Sequence, residues 1–468
     1  MTQSIALVQQ RLAQHYVDTL QRANTAIQRG RGNRSHWYNQ IEQDWEQIRH
    51  WQAWSAEASE LEKERAKLCV DFSMGGLDIL RVRQTPADRI QWMKTALAVA
   101  QKIGNTAAEC TALHEVGHTY FYIGATEDAT AVAQMLLKLA EPRRDIFNLG
   151  RAWYILGQVG VHQGQLDEAE AAFIKGLAYL QEAGAEPEYG RALQAYGRIA
   201  LYRGDNQTAY ERFAGYLTIV ERSGREAELA PAYITMNHVL LEMHDYPQAK
   251  HYAERALQVC LKTGFQRMLA NAWLSLAAAE AELDELDAAR THYLQGITSA
   301  RAMQANSTVI DLLRYLADVE MRQQHYTDAQ QHLQEALELA QQHNISYYLC
   351  EISAALAHWH IDQHQTAAAR VHLRTAFDYA QQLRADRFLV VVLARALRLF
   401  PLEGQTEQAV VWFGVLTRYA HYVEPRVIAD LQTHLQQGLS AAQFEQAFTR
   451  GADIQLADAI TEVLSLIQ

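Results

Sequence analysis

Apolar residues along most of this chain recur every three or four positions, the period of a helix with one buried face. Two such stripes, RAWYILGQVGVHQ (residues 151–163) and EAEAAFIKGLAYLQEAG (residues 168–184), flank the short turn that begins GQLD at residue 164. The pattern predicts two antiparallel helices joined by a tight turn.

This unit recurs. Alanines at 129, 169, 209, 249, 289, 329, 369 and 409 fall on an unbroken 40-residue spacing. Seven residues downstream stand Leu136, Gly176, Tyr216, Ala256, Gly296, Ala336, Ala376 and Leu416. Twelve upstream stand Gly117, Gly157, Gly197, Asn237, Ala277, Ala317, Ala357 and Leu397, mostly small. Five upstream, Gly124, Gly164, Gly204 and Gly404 alternate with His244, Asp284, Gln324 and His364, which is turn chemistry. Helices approach closely only where side chains are small, so the Ala169 and Gly157 columns mark a crossing, with Trp153, Leu156 and Phe173 filling the space around it. One hairpin cannot bury its apolar face alone, so neighbours must stack.

Composition agrees with helix. Among 468 residues there are only 7 Pro and 24 Gly. No apolar run is long enough to span a bilayer, and the start MTQSIALVQQRLAQ lacks a signal-peptide core, so no membrane role is expected. Cys69, Cys110, Cys260 and Cys350 are far apart and read as small buried hydrophobes of a reducing, cytoplasmic protein. A net charge of −12 argues against direct nucleic-acid binding.

With Trp153, Leu156, Gly157, Ala169 and Phe173 in place, the columns resemble the tetratricopeptide repeat over roughly residues 71–430. The expected fold is all-α: a right-handed α-solenoid superhelix of about eight to nine 40-residue hairpins with helical caps. Residues 1–70 are expected to form an N-terminal cap, with helices over about 4–28 and 36–67 joined through the basic loop RGRGNR. Its second helix carries the stripe Trp37, Ile41, Trp45, Ile48 and Trp54. Residues 71–110 read as a degenerate hairpin, with Arg89 where Ala is expected and Ala96 in the later column. Residues 111–430 make eight hairpins, and residues 431–468 a C-terminal cap. Both ends also resemble the C-terminal sensor region of large ATP-dependent transcription regulators of the LuxR and maltose-activator type; Phe444, Ala447, Gly451, Leu456 and Ala459 carry the closing pattern. The chain lacks their phosphate-binding loop and helix-turn-helix, so the resemblance implies only the sensor part, as a stand-alone protein or a piece of a longer one.

One motif points elsewhere. His114-Glu115-Val116-Gly117-His118 has the HExxH spacing that, in metalloproteases, holds zinc and places a general base. Gly117 already belongs to the repeat's small column, so packing accounts for the helix, and no metal or other cofactor is expected; a zinc hydrolase at His114 and His118 is the rival. No other catalytic constellation stands out, and the chain reads as no enzyme.

First helices of such units line the groove. Counting from the Gly157 column, the inward positions of the first units are His114, His118 and Tyr122; Arg151, Tyr154, Gln158 and His162; and Arg191, Gln194, Arg198 and Tyr202. Later units give His238 and Glu242; Arg314, Asp318 and Arg322; Glu351, His358 and Asp362; and Arg398. The early set holds Arg and Tyr and no acid, a local inversion of sign in an acidic chain. Arginine forks suit carboxylates, so the expected partner is a protein or peptide with an acidic segment or C-terminus, or a small anionic effector. The bland alternative is that acids on the second helices neutralise Arg151, Arg191 and Arg198.

Overall fold

The computed structural model describes residues 2–28, 34–58, 62–163, 165–224, 226–264, 266–303, 305–342, 345–383, 386–423 and 425–467. The basic loop expected around residues 29–33 lies outside them. The described residues are helices joined by turns. In order they are α1 (Thr2–Gln28), α2 (Arg34–Ala56), α3 (Lys63–Gly75), α4 (Leu77–Arg83), α5 (Pro86–Ile103), α6 (Thr106–Tyr122), α7 (Thr126–Ala140), α8 (Ile146–His162) and α9 (Leu166–Glu182). Then come α10 (Glu186–Tyr202), α11 (Asn206–Ser223), α12 (Glu226–Glu242), α13 (Tyr246–Thr263), α14 (Gln266–Glu282), α15 (Leu286–Ala302), α16 (Asn306–Arg322) and α17 (Tyr326–Gln342). The last are α18 (Ser346–Asp362), α19 (Thr366–Leu383), α20 (Asp386–Ala396), α21 (Leu399–Leu402), α22 (Thr406–Thr417), α23 (Pro425–Gln436), α24 (Ala441–Gly451) and α25 (Leu456–Leu466).

The chain divides into two compact units. Unit 1 comprises residues 1–245 and 258–265; unit 2 comprises residues 246–257 and 266–468. In unit 1 the hairpins α6–α7, α8–α9 and α10–α11 pack in sequence, each second helix against the next first helix. In unit 2, α14–α15, α16–α17 and α18–α19 do the same.

The repeat columns have direct structural causes. Where it is described, the turn column takes the left-handed conformation whether or not it is glycine: φ is 77° at Gly124 and 75° at Gly204, and 61°, 63°, 63° and 57° at His244, Asp284, Gln324 and His364. The small column exists because a large partner lies across from it. A Cβ on Gly197 would stand 2.5 Å from Cε1 of Phe213, and one on Gly157 2.8 Å from Cδ1 of Phe173. Ala169 itself meets Gly160, one turn further along α8, where a Cβ would lie 3.0 Å away.

The first stretch differs from its expectation. The single helix over 36–67 is two, α2 ending at Ala56 and α3 starting at Lys63. Ile41, Trp45, Ile48 and Trp51 form a buried core with Leu20 and Phe72, and Trp37 and Trp54 pack at its edge. Near the C-terminus, the first helix of the last hairpin is broken between α20 and α21. Pro401 has no N–H to give to the carbonyl four residues back, at Leu397, and its ring crowds that carbonyl. Gly451 and Gly414 allow α24 to cross α22 in contact: a Cβ on Gly451 would stand 2.0 Å from the Val411 carbonyl oxygen. All four cysteines are buried and free, and burial pushes their thiols up to between about 11 and about 12.

Candidate functional site

The candidate site is the first-helix face of unit 1. Asn105 caps α6, its side chain accepting from Ala108 N at 3.1 Å, and Asp145 caps α8 by accepting from Asn148 N, also at 3.1 Å. Helix α6 touches α8, and α8 touches α10, so three first helices form one wall.

Glu115 anchors that wall. Its side chain is 1% exposed, and its two oxygens take Arg81 (Nη2, 2.6 Å) and Arg89 (Nη2). Arg81 also pairs with Asp78 at 3.2 Å. Burial alone raises the Glu115 carboxyl, but the two guanidiniums pull it well below the ordinary range. The Arg that breaks the alanine column in the first hairpin is thus the buried counter-ion of the next one. Sequence reasoning singled out Glu115 only within a zinc motif and missed Arg81; the misfit of Arg89 was the available signal.

Glu115 of the HExxH motif is not free to act as a general base, since both its oxygens are held by arginines. Among the described residues no three His, Cys, Asp or Glu side chains gather in a metal-binding group. Burial first, then neighbouring arginines, keeps both rings neutral: His114 falls well below its ordinary value and His118 to about 3.

The structure brings several predicted residues together. His118 packs edge-on against Tyr122 (4.8 Å) and stacks with Tyr154 (6.4 Å). Arg151 is 9% exposed, with its guanidinium 4.9 Å from the centre of the Phe147 ring. Among the described residues it has no carboxylate within 4.0 Å, and its Nε has no partner. Burial lowers the Arg151 pKa more than the Glu115 charge raises it. Two more buried polar atoms on this face lack partners, Nδ1 of His114 and Oε1 of Gln158.

Arg191 is not free. It pairs with Glu188 of its own helix (2.8 Å) and Glu228 of α12 (3.2 Å), acids on first helices rather than second. The inward positions of the first units hold no acid, yet Glu115, Glu188 and Glu228 lie against their arginines. Gln194 donates to Thr235 Oγ1 at 2.7 Å, tying α10 to α12. Arg198, Tyr202, His162 and His238 are exposed, and the His162 ring meets Phe121 at 6.2 Å.

Unit 2 presents a different first-helix face. Arg314 pairs with Glu351 at 3.2 Å, and Tyr348 donates to Asp311 at 2.8 Å. Arg426, at the start of α23, reaches Asp318 (3.6 Å) and Glu282 (3.7 Å). No helix among the described residues is long and apolar enough to cross a membrane.

No protein-family model matches the sequence, and no protein of curated function matches it either. Solved structures do match in fold. A Rap protein complexed with competence and sporulation factor is 13% identical, with 76% of this chain and 97% of that chain covered and a TM-score of 0.52. The quorum sensor NprR from B. thuringiensis, in its apo form, is 14% identical, with 78% and 99% covered and a TM-score of 0.52. A signal-transduction ATPase (STAND) protein with a tetratricopeptide repeat sensor from Pyrococcus horikoshii is 12% identical, with 88% of this chain and 56% of that one covered and a TM-score of 0.51. The chain has the all-α fold of stacked tetratricopeptide-type hairpins seen in these structures.

Proposed function

We propose that this chain is a non-enzymatic scaffold whose first-helix face in unit 1 holds a peptide or protein segment through an acidic side chain or C-terminal carboxylate. The observation that carries this reading is Arg151: a buried guanidinium without a carboxylate, beside His114 and Gln158 with unpaired polar atoms. A buried donor without an acceptor costs about 1–3 kcal/mol, which an incoming carboxylate recovers. His114, His118, Tyr122, Tyr154, Gln158 and Arg198 supply contact area and hydrogen bonds around that charge. Arg191, already shared between two acids, orients the site, and Gln194, His162, Tyr202 and His238 extend it. Fold neighbours lend support, since one was crystallised with competence and sporulation factor and NprR with its cognate peptide NprX.

The test is fluorescence anisotropy with a panel of labelled decapeptides, each with a free or an amidated C-terminus. Arg151→Ala with Arg191→Ala is expected to weaken the preferred peptide at least tenfold, about 1.4 kcal/mol, with far-UV circular dichroism unchanged. Equal binding by the double variant, or indifference to acidic residues and to amidation alike, sinks the reading.

A second reading is a ligand-sensing module of a larger ATP-dependent regulator, supported by the STAND protein that this chain matches over 56% of its length. Both readings use the same face, and the longer reading frame discriminates them.

A further inference from the structure

A second cluster of cations stands in unit 2, far along the chain from Arg151 and built differently. His358 of α18 is 7% exposed. Its Nδ1 lies 2.7 Å from Nη1 of Arg395, and its Nε2 lies 2.7 Å from Nη1 of Arg398. A guanidinium only donates and stays charged. A neutral imidazole donates at one ring nitrogen and accepts at the other. Whichever tautomer is present, one of the two contacts therefore sets N–H against N–H. Protonating the ring makes both contacts repulsive, and burial with the two arginines holds it neutral, its pKa well below the ordinary value.

The surrounding chain does not resolve this conflict. Asp362 is the acid at hand, its carboxylate 3.7 Å from His358 Nε2. Burial pushes its carboxyl up, with both arginines opposing. Neither Arg395 nor Arg398 has a carboxylate within 4.0 Å among the described residues. From α23, His434 faces the cluster with a buried Nε2 that has no partner, and its pKa is lowered by burial and by Arg398. Two permanent positive charges thus stand near one carboxylate that pairs directly with neither. The position of Arg398 is set by the break between α20 and α21, so the arrangement is built into the backbone.

We propose that His358, Arg395, Arg398 and His434 form an oxyanion-binding site in unit 2, for the carboxylate or phosphate of a small ligand. An oxygen placed among them accepts from both guanidiniums and from the protonated nitrogen of His358, turning a donor–donor contact into three donor–acceptor bonds. This site does not depend on the peptide reading of unit 1.

The experiment uses the full chain at pH 7.5, with inorganic phosphate, acetate and chloride compared at matched ionic strength. Phosphate, acetate or both are expected to raise the melting temperature saturably over chloride. Which probe acts tells phosphate from carboxylate ligands. Arg395→Ala with Arg398→Ala should weaken that response at least tenfold in midpoint concentration, in the otherwise unaltered chain and equally in a chain that already carries Arg151→Ala with Arg191→Ala. If the unit 2 double variant does not fold, Arg398→Lys keeps the charge, loses the fork and should weaken the response several-fold. No stabilisation beyond chloride, or a response that the unit 2 variants leave unaltered in the chain lacking Arg151 and Arg191, overturns the proposal.

Discussion

Positions 151 and 191 in unit 1 and positions 311 and 351 in unit 2 share one register of the 40-residue repeat. Unit 1 places Arg151 and Arg191 there; unit 2 places Asp311 and Glu351. Three residues on, unit 1 has Tyr154 and Gln194, whereas unit 2 has Arg314 to meet Glu351. The same backbone scaffold therefore carries opposite electrostatic arrangements. In unit 2 most of the first-helix charges find partners within the chain, Arg426 of α23 among them. In unit 1 charge is concentrated on one buried carboxylate, and Arg151 is left without one. A repeat fold fixes where side chains point, and the substitution at one column decides whether a face is saturated or receptive.

The contrast can be broken most strongly at Glu115. Glu115→Gln leaves two guanidiniums without their shared buried carboxylate and should cost about 3–5 kcal/mol, read by chemical denaturation. Glu351→Gln in unit 2 should cost less, because that pair is partly exposed. A smaller loss at Glu115 than at Glu351 would mean that the two faces are held by the same kind of contact after all.

The packing behind the faces differs too. Unit 1 sets glycine against phenylalanine, whereas unit 2 sets Ala317 and Ala357 in the same column. Gly197→Ala should therefore destabilise by about 1–3 kcal/mol in thermal or urea melts, since its new Cβ overlaps Phe213.

Acid should separate the units. His118 binds its proton only near about 3 in the fold but near 6.5 when unfolded, so stability falls as pH drops through that window. His114 acts in the same direction, and Glu115, with its depressed pKa, adds a loss below the ordinary carboxyl range. In unit 2, His358, His372 and His434 behave likewise, but Asp311 and Asp362 have raised pKa values and take up protons more readily folded than unfolded, which offsets part of the loss. Hydrogen exchange at pH 4.5 against pH 7.5 should show unit 1 losing protection first. Simultaneous loss in both units, or earlier loss in unit 2, contradicts this account.

The smallest expected effect is at Arg450. Its 2.9 Å contact with Glu407 is exposed on both sides, so Arg450→Ala should change stability by no more than about 1 kcal/mol.

The helices, their hairpin pairing and the turn column were legible in the sequence, because each depends on neighbours within one period: apolar spacing, a small residue opposite a large one, a left-handed turn. The end of α2 at Ala56 was not, since its aromatic stripe runs toward it without an obvious stop signal. The candidate face was half legible. Counting from Gly157 brought out Arg151 and Arg191, yet nothing local said that Arg191 shares two acids while Arg151 has none.

By itself, then, the sequence determined a tandem of helical hairpins and the positions that share a face, because periodicity is a property of the chain. Only the tertiary structure decided which charges meet. Glu115 and Arg89 are 26 residues apart, and His358 and Arg398 are 40 apart. Pairing over such separations depends on how neighbouring hairpins stack and where a helix breaks. That is why a zinc-like motif became a buried carboxylate between two arginines, and why an ordinary histidine became the centre of two competing donors.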